Sequence, residues 1–158
     1  MVGDLDAAAE ITARALMLNP NLARAWRCSG FVKCYIGEPE VAIEHLARAM
    51  RLNPLDPHNF LVQAGTALAH LFAGRYEEAS SWAHRAIQRQ PNHQSALRVY
   101  AASNALAGRA KEAQTTATRI RQVDPAFRVS ALKDLVPLRR PEDLIRFSDG
   151  LRKAGLPE

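Results

Sequence analysis

A repeat of about 34 residues runs through most of this chain, and no other sequence feature constrains the fold as strongly. Four prolines stand 34, 37 and 34 residues apart, and four glycines and four alanines keep the same three spacings. Because three residue types share one period, each repeat is expected to be one structural unit that packs on its neighbours. The three registers are Pro20, Pro54, Pro91 and Pro125; Gly3, Gly37, Gly74 and Gly108; and Ala8, Ala42, Ala79 and Ala113.

The order of these residues within a unit predicts two helices joined by a tight turn. The glycine marks the end of a first helix, where a residue that tolerates positive φ is favoured. The alanine five residues later lies on a second helix, whose small residues let the two helices approach closely. The proline follows that helix and prevents it from continuing. The other small residues of these two rows are Gly30, Ala67 and Ala101 on the first helices and Ala15, Ala49 and Ala86 on the second.

The segment 25–54 resembles the tetratricopeptide (TPR) repeat, a helix–turn–helix unit of about 34 residues. Residues 74–92 resemble the second helix of the same unit, and the resemblance covers roughly residues 3–127. It implies an all-α fold, namely a right-handed superhelix of antiparallel helical hairpins. The positions that match the family signature in the best-preserved unit are Trp26, Gly30, Gly37, Ala42, Ala49 and Pro54.

We therefore expect a single TPR-like domain over residues 1–158. Its parts are the second helix of an incomplete repeat (3–22), three repeats (23–56, 57–93 and 94–127) and a capping segment (128–158). The expected helices are 4–18, 23–36, 39–52, 58–73, 75–89, 94–107, 109–122 and 141–154, with a helical turn near 129–135. The middle unit is three residues longer than its neighbours, which leaves open a longer first helix or an extra turn in the preceding loop.

The last segment predicts an amphipathic capping helix. Pro141 suits its first position, and Glu142 and Asp143 suit the positive end of the helix dipole. Its apolar residues fall on one face, and a helix of this kind can cover the end of a repeat stack. These residues are Leu144, Ile145, Phe147 and Leu151.

The other end of the repeat array has no such cover. Helix 4–18 would lack a first helix to pack against, which leaves a face with Ala8, Ile11 and Ala15 exposed. One explanation is that the sequence is a piece of a longer protein. The other is that this face pairs with a second copy and forms a homodimer, and both can hold at once.

Two C-terminal segments carry a closer resemblance. The stretches 139–144 and 150–158, beside the repeats, resemble the C-terminal repeat region of bacterial class III adenylate/guanylate cyclase homologues. In that family a nucleotide cyclase domain precedes a linker and a run of TPR units. The resemblance implies the non-catalytic part of a multidomain signalling protein. Because no cyclase segment is present, no catalytic residue carries over, and we expect no enzymatic activity from this chain.

Composition limits the location and the partners. No apolar run reaches the roughly 18–20 residues of a membrane span, and residues 1–10 lack the features of a signal peptide, so we expect a cytoplasmic protein. The net charge is −2 over the first 79 residues and +7 over the rest, which favours an acidic partner or sister domain. Nucleic acid is not expected as a partner, because no aromatic stacking platform accompanies this modest charge.

No motif for catalysis, metal or cofactor binding is present. Cys28 and Cys34 lie six apart on one predicted helix and so point in different directions. The five histidines fall in different helices and loops, and none has a second ligand three or four residues away. The TPR units therefore predict binding rather than chemistry.

A ladder of arginines runs along the second helices. Arg14, Arg48, Arg85 and Arg119 keep the period of the repeat. They predict either a basic surface for an acidic partner or ordinary solvation of exposed helix faces.

The TPR resemblance also implies where a partner would bind, because ligands of that family usually lie in a concave groove lined by the first helices. We consider three functions: a protein-protein or interdomain interaction module, a homodimerisation module for attached catalytic domains, and a small acidic-ligand sensor. The groove arginines would suit an acidic or C-terminal peptide in the first case. The implied groove positions are Arg24, Arg27, Phe31, Cys34, Ala64, Leu68, Arg98 and Ala102.

Overall fold

The computed structural model describes residues 4–158, and within this range the chain is helical and forms no strand. Gly3, the first glycine of its register, lies outside the described residues. A short 3₁₀ turn (Val129–Ala131) follows the repeat region. The helices are α1 (Leu5–Leu18), α2 (Ala23–Ile36), α3 (Pro39–Leu52), α4 (Asn59–Phe72), α5 (Tyr76–Arg89), α6 (Gln94–Leu106), α7 (Ala110–Val123), α8 (Leu132–Leu135) and α9 (Pro141–Lys153).

The repeat region is a stack of helical hairpins. The pairs α2/α3, α4/α5 and α6/α7 pack against each other, and each second helix also packs on the first helix of the next hairpin. The expected all-α fold of stacked hairpins is confirmed, and the helix ends differ from the expected ones by at most one residue.

A glycine follows the end of each first helix and changes the direction of the backbone there. Gly37, Gly74 and Gly108 have φ values of 100°, 77° and 82°. This left-handed region is strained for residues with a Cβ, so it stops the helix and lets the chain turn. The second helix α3 then begins at Pro39, whose fixed φ suits a first helical position.

Small residues allow the two helices of a hairpin to touch. A Cβ on Gly30 would stand 2.6 Å from Leu46 Cγ and 3.3 Å from the carbonyl oxygen of Ala42, so only glycine fits at this crossing. The alanines at the corresponding second-helix positions are almost fully buried, which makes them part of the contact rather than of the surface. They are Ala42, Ala49, Ala79, Ala86 and Ala113.

The three extra residues of the middle unit lie mainly in the loop before α4. The segment 53–58 has six residues, whereas the equivalent loops 19–22 and 90–93 have four each. The Asn59 side-chain amide donates to the carbonyl oxygens of Asn53 and Pro54 at 3.1 and 3.0 Å, which holds the longer loop against the helix. Helix α4 has 14 residues, as α2 does, so relative to the first complete unit the third extra residue is Ala73, between α4 and Gly74.

The inner side of the stack is formed by the first helices. Helices α2, α4 and α6 contact one another in sequence, whereas α3, α5 and α7 make no direct contact with one another. Since a curved stack has its shortest spacing on the inside, the first helices line the inner face and the second helices form the outer face.

Helix α1 is weakly attached to the stack. Asp4 caps it by accepting hydrogen bonds from the backbone N–H groups of Asp6 and Ala7, both at 3.0 Å. The helix contacts α2, yet none of its side chains is buried, and Ile11 is 68% exposed. None of the helices between residues 4 and 158 combines the length and apolarity needed to cross a bilayer.

We predict that Leu46→Ala lowers the free energy of unfolding by about 2–5 kcal/mol, because Leu46 is fully buried against Gly30 and the truncation leaves a cavity. Urea denaturation measures the change. Leu55→Ala is the matched control, since Leu55 is 90% exposed, and its change should stay within about 0.5 kcal/mol. Equal effects at the two positions would contradict this account of the hairpin contact.

Candidate functional site

The expected groove positions differ widely in exposure. Arg24 is exposed and Arg27 is partly exposed on the N-terminal half of α2, and Phe31, just past the middle of the helix, is also partly exposed. The remaining five side chains are buried and so are not free to meet a partner in this conformation. These are Cys34, Ala64, Leu68, Arg98 and Ala102.

The chain's own C-terminal segment covers the inner face. Helix α9 packs mainly against α6, reaches α4, and makes only a small contact with α7. It therefore does not stack below α7 as a further first helix would. Instead it crosses the inner face, with its N-terminal end near α2 and its C-terminal end on α6.

The apolar side of α9 faces the first helices. Phe147 is 2% exposed and lies edge-on to Phe72 at the end of α4, with ring centroids 6.2 Å apart. A Cβ on Gly150 would stand 2.7 Å from the Ala102 Cβ and 3.0 Å from the Ala102 carbonyl oxygen. Helix α9 thus approaches the α6 backbone at a point where only glycine fits.

Polar contacts hold the segment along its length. Near α2, the Arg139 backbone N–H donates to the Tyr35 carbonyl at 2.9 Å, and the Arg140 guanidinium donates to the Gly37 carbonyl at 3.3 Å. The Arg146 guanidinium donates to the Phe72 carbonyl. The C-terminal ends of two first helices, α2 and α4, are therefore bound by one short segment, as expected for a helix that crosses them.

The far end of the segment is tied to the last hairpin and the turn that follows it. The Arg121 guanidinium donates to the Gly155 carbonyl at 2.9 Å. The backbone N–H of Val129 donates to the Pro157 carbonyl at 2.8 Å. Around these bonds Phe127, Leu132 and Leu156 are buried, so the tail closes this end of the core.

Asp143 is the least satisfied group in this contact. Its side chain is 1% exposed, and neither carboxylate oxygen has a hydrogen-bond partner among the described residues. The nearest cation is Arg140, whose Nε lies 3.8 Å from Oδ2. Burial raises the pKa of Asp143, and the charges of Arg140 and Arg146 offset only part of this effect.

Cys34 lies in the same region and is completely buried. Burial raises the pKa of its thiol, and the nearby negative charge of Asp143 raises it further. The thiolate is the reactive form of cysteine, so Cys34 is an inert packing residue here.

Arg98 is committed to contacts within the chain. Its guanidinium forms an ion pair with Asp124 at 3.3 Å, donates to the Gln94 side chain at 2.9 Å, and lies 4.3 Å from the Phe127 ring centroid. Desolvation by burial lowers the pKa of the group, although Asp124 opposes this effect. Such a residue stabilises the last hairpin and has little capacity left for a ligand.

The outer face carries the arginine ladder. Arg14, Arg48 and Arg85 are exposed, and Arg119 is partly exposed and lies 3.5 Å from the Asn92 side chain. Arg85 lies over the ring of Trp82, at 4.7 Å from the centroid. Residues 4–158 contain no cluster of His, Cys, Asp and Glu side chains that could hold a metal ion.

No family model matches the chain, and no curated protein matches it. Several solved structures are similar to it. PilW, a widely conserved type IV pilus biogenesis factor, matches with a TM-score of 0.73 and 18% identity over 93% of this chain and 69% of PilW. MamA matches with a TM-score of 0.69 and 20% identity over 96% of this chain and 87% of MamA.

YrrB, a TPR protein with an unusual peptide-binding site, matches with a TM-score of 0.62 and 19% identity over 95% of this chain and 76% of YrrB. This chain has the TPR fold. At these identities the likeness establishes the TPR architecture alone, and the partners of the TPR structures are not transferred with it.

The part of the inner face on which α9 lies is called its seat below. The residues that form this contact were only partly predicted from the sequence. The apolar face of the last helix was expected, but the surface that receives it was not, and Gly150 was not singled out. A signal was available: glycine is unfavourable inside a helix, so Gly150 in the middle of an otherwise regular pattern indicated a close approach.

We predict that Asp143→Asn raises the free energy of unfolding at pH 7 by about 1 kcal/mol, because it removes a buried charge whose oxygens accept no hydrogen bond from the described residues. The pKa of Asp143 is above its ordinary value of 3.8 in the folded state, so the folded chain binds the proton more tightly. Wild-type stability then falls as pH rises through that pKa, and the gain from Asp143→Asn should disappear near pH 4.

Urea denaturation at the two pH values measures this effect. Asp149→Asn is the control, because Asp149 lies on the exposed side of the same helix and pairs with Arg152. A loss of stability on Asp143→Asn at pH 7 would show that the carboxylate stabilises the docked helix instead.

Proposed function

We propose that this chain is a non-catalytic protein-interaction module whose inner face binds an amphipathic helix of a partner protein. The observation that carries this proposal is the position of α9, which occupies the inner face as a bound helix would. The seat accepts an apolar helix face and provides backbone carbonyls at the ends of α2 and α4 as acceptors.

The seat specifies the kind of helix that fits. A partner would need apolar residues four apart, as Phe147 and Leu151 are, and a residue without a side chain where it crosses Ala102. Basic residues toward its N-terminal end would replace Arg140 and Arg146. The uncovered half of α2, with Arg24, Arg27 and Phe31, could extend the contact to an acidic flanking segment.

A partner has to compete with α9, which is tethered to its seat. A short flexible tether gives an effective concentration on the order of millimolar, so α9 binds its own seat far more readily than an equal helix does from solution. The proposal therefore includes release of α9 as a step in partner binding.

The cyclase resemblance extends the proposal to an attached domain. In that setting the module would belong to a signalling protein of the adenylate/guanylate cyclase class and act in the cytoplasm. Release of α9 could then report partner binding to the rest of that protein, because the segment reaches the start of the repeat array through the Arg139–Asp6 ion pair.

We predict that Gly150→Ala exposes the seat to a helix in solution. The probe is a fluorescein-labelled synthetic peptide with the sequence of residues 141–153, titrated against the full chain and followed by anisotropy. Gly150→Ala places a Cβ against the α6 backbone and should bind the peptide at least ~10-fold more tightly than wild type, because its own helix is displaced.

Ile145→Ala is the control, since Ile145 is on the same helix and 58% exposed, and it should leave peptide binding as in wild type. Hydrogen exchange reports whether α9 opens in Gly150→Ala. An open α9 without peptide binding would disprove the inner-face proposal.

Homodimerisation is a second candidate function, and one observation favours it. Helix α1 buries no side chain, and Ile11, Met17 and Leu18 are 68%, 85% and 81% exposed. Apolar groups at this density on one short helix are unusual for a face that stays in water.

We predict that wild-type chain associates through α1 and that Ile11→Asp and Leu18→Asp shift it toward monomer. Light scattering across a dilution series measures the mass. Ile145→Asp, which places a charge on an exposed apolar position of α9, is the control and should leave the mass unchanged. A monomeric wild type at all concentrations would contradict the dimer.

The third function, a small acidic-ligand sensor, has the least structural support. Of the three arginines assigned to it, Arg98 is engaged by Asp124 and Gln94. Arg24 and Arg27 remain accessible, but they stand on one helix at the open end of the groove.

A further inference from the structure

An apolar cleft lies on the outer face, between the second helices α3 and α5. These two helices do not contact each other, and α4 lies beneath both and forms the floor. The cleft has a volume of about 380 Å³, within the range of sites that bind an organic group. Ile43 and Met50 of α3 form one wall, Trp82 of α5 forms the other, and Thr66 and His70 form the floor.

Small residues keep this cleft open. Thr66 and Ala47 stand in it at positions that Tyr100 and His84 occupy in the next cleft, between α5 and α7. There the two rings lie 5.7 Å apart and narrow the cleft, whose volume is about 260 Å³. The Thr66 hydroxyl donates to the Val62 carbonyl at 2.8 Å, so only its methyl group remains for the cleft.

The two clefts also differ in polarity. Trp82 forms a wall of the α3–α5 cleft, whereas its equivalent one repeat later is Thr116. The α3–α5 cleft is thus the more apolar of the two, and the shared repeat pattern does not account for that difference.

One hydrogen-bond donor is available at the floor. The Arg75 Nε–H donates to His70 Nδ1 at 3.0 Å, and an arginine nitrogen can only donate, so Nδ1 is the acceptor. Burial, and then the charge of Arg75, lower the pKa of His70, which keeps the ring neutral. The remaining proton is on Nε2, where it can be donated to a carbonyl group.

Positive charge borders one end of the cleft. Arg51 lines it, and Arg85 covers the Trp82 ring. Between residues 4 and 158, neither of them, nor Arg48 on the adjacent turn, takes part in an ion pair with a carboxylate. Unpaired arginines beside an apolar surface favour a ligand that brings its own carboxylates.

Negative charge lies at the other end. Glu40 and Glu78 are close enough to His70 to oppose the lowering of its pKa, and Glu40 is paired with Arg75 at 2.6 Å. The cleft therefore has a direction, with carboxylates near the start of α3 and α5 and arginines near their ends. A partner segment with acidic groups on one side only would bind in one orientation.

We propose that the α3–α5 cleft is a docking site for an acidic peptide segment of another protein. The segment inserts one large apolar side chain between Met50 and Trp82, and its carboxylates pair with Arg51 and Arg85. This site is separate from the inner face. A result against the helix-binding function proposed above would therefore leave this second proposal unaffected.

The test uses the full chain and synthetic peptides that carry one phenylalanine followed by a run of glutamates, with the distance between them varied. Fluorescence anisotropy at low salt measures binding, because screening weakens exposed ion pairs. We expect at least ~10-fold weaker binding when the phenylalanine is replaced by alanine or the glutamates by lysines.

Two variants locate the site. Thr66→Tyr places a ring in the cleft, where Tyr100 stands in the next one, and Arg51→Glu reverses the charge at its edge; each should weaken binding at least ~10-fold. Arg119→Glu is the matched control, because Arg119 belongs to the same ladder but borders the α5–α7 cleft, and it should bind as wild type does. Arg51→Glu alters only an exposed side chain, so it remains informative if Thr66→Tyr does not fold.

Four results would overturn the proposal: no binding by any member of the peptide set, equal binding by wild type and a folded Thr66→Tyr, no preference for glutamates over lysines, or equal losses with Arg51→Glu and Arg119→Glu. Competition by a simple fatty acid as strong as that by the peptide would assign the cleft to a lipid and would also overturn it.

Discussion

Close contact between the two helices of each hairpin depends on residues with little or no side chain at the crossing points. Gly30 against Leu46 is the tightest case, since no Cβ fits there. Once the hairpins are closed in this way, the stacking order follows, because each second helix offers its remaining apolar side to the next first helix. The inner face, the outer clefts and the seat of α9 are all consequences of that packing. A larger residue at the crossing would therefore disturb surfaces well away from it.

Local and periodic features of the fold were predictable from the sequence, and features without a period were not. Helix ends were placed to within one residue because Gly37, Gly74 and Pro39 act on the chain next to them. The docking of α9 joins residues about a hundred positions apart, such as Arg140 and Gly37, and no repeat encodes that pairing. Asp143 illustrates the difference: its position at a helix start was correct, but nothing local indicated that its side chain would be buried.

The two ends of helix α9 differ in how well they pack against the inner face. Toward the C-terminus, Phe147, Gly150 and Leu151 pack closely against the core, and no charged side chain is buried in this described part of α9. Toward the N-terminus, Asp143 is buried without a hydrogen bond, and a buried charge of this kind opposes docking. Opening should therefore begin at Pro141 and leave the C-terminal half of the helix attached. A partner that needs the inner face would first meet the uncovered N-terminal part of α2, the helix whose C-terminal end binds Arg139 and Arg140.

Net charge was a poor guide to where an acidic partner would bind. The second half of the sequence carries the positive excess, yet many of its arginines are used within the fold. Arginines bound to carboxylates or carbonyls of this chain include Arg98, Arg109, Arg121, Arg128, Arg139, Arg140, Arg146 and Arg152. Among the described residues, the arginines without such partners include Arg48, Arg51 and Arg85 on the outer face of α3 and α5, and Arg24 and Arg27 on α2. A charge that already neutralises its neighbours attracts little from outside, so available positive charge is a better guide than total charge, and it supports the proposed acidic peptide at the outer face.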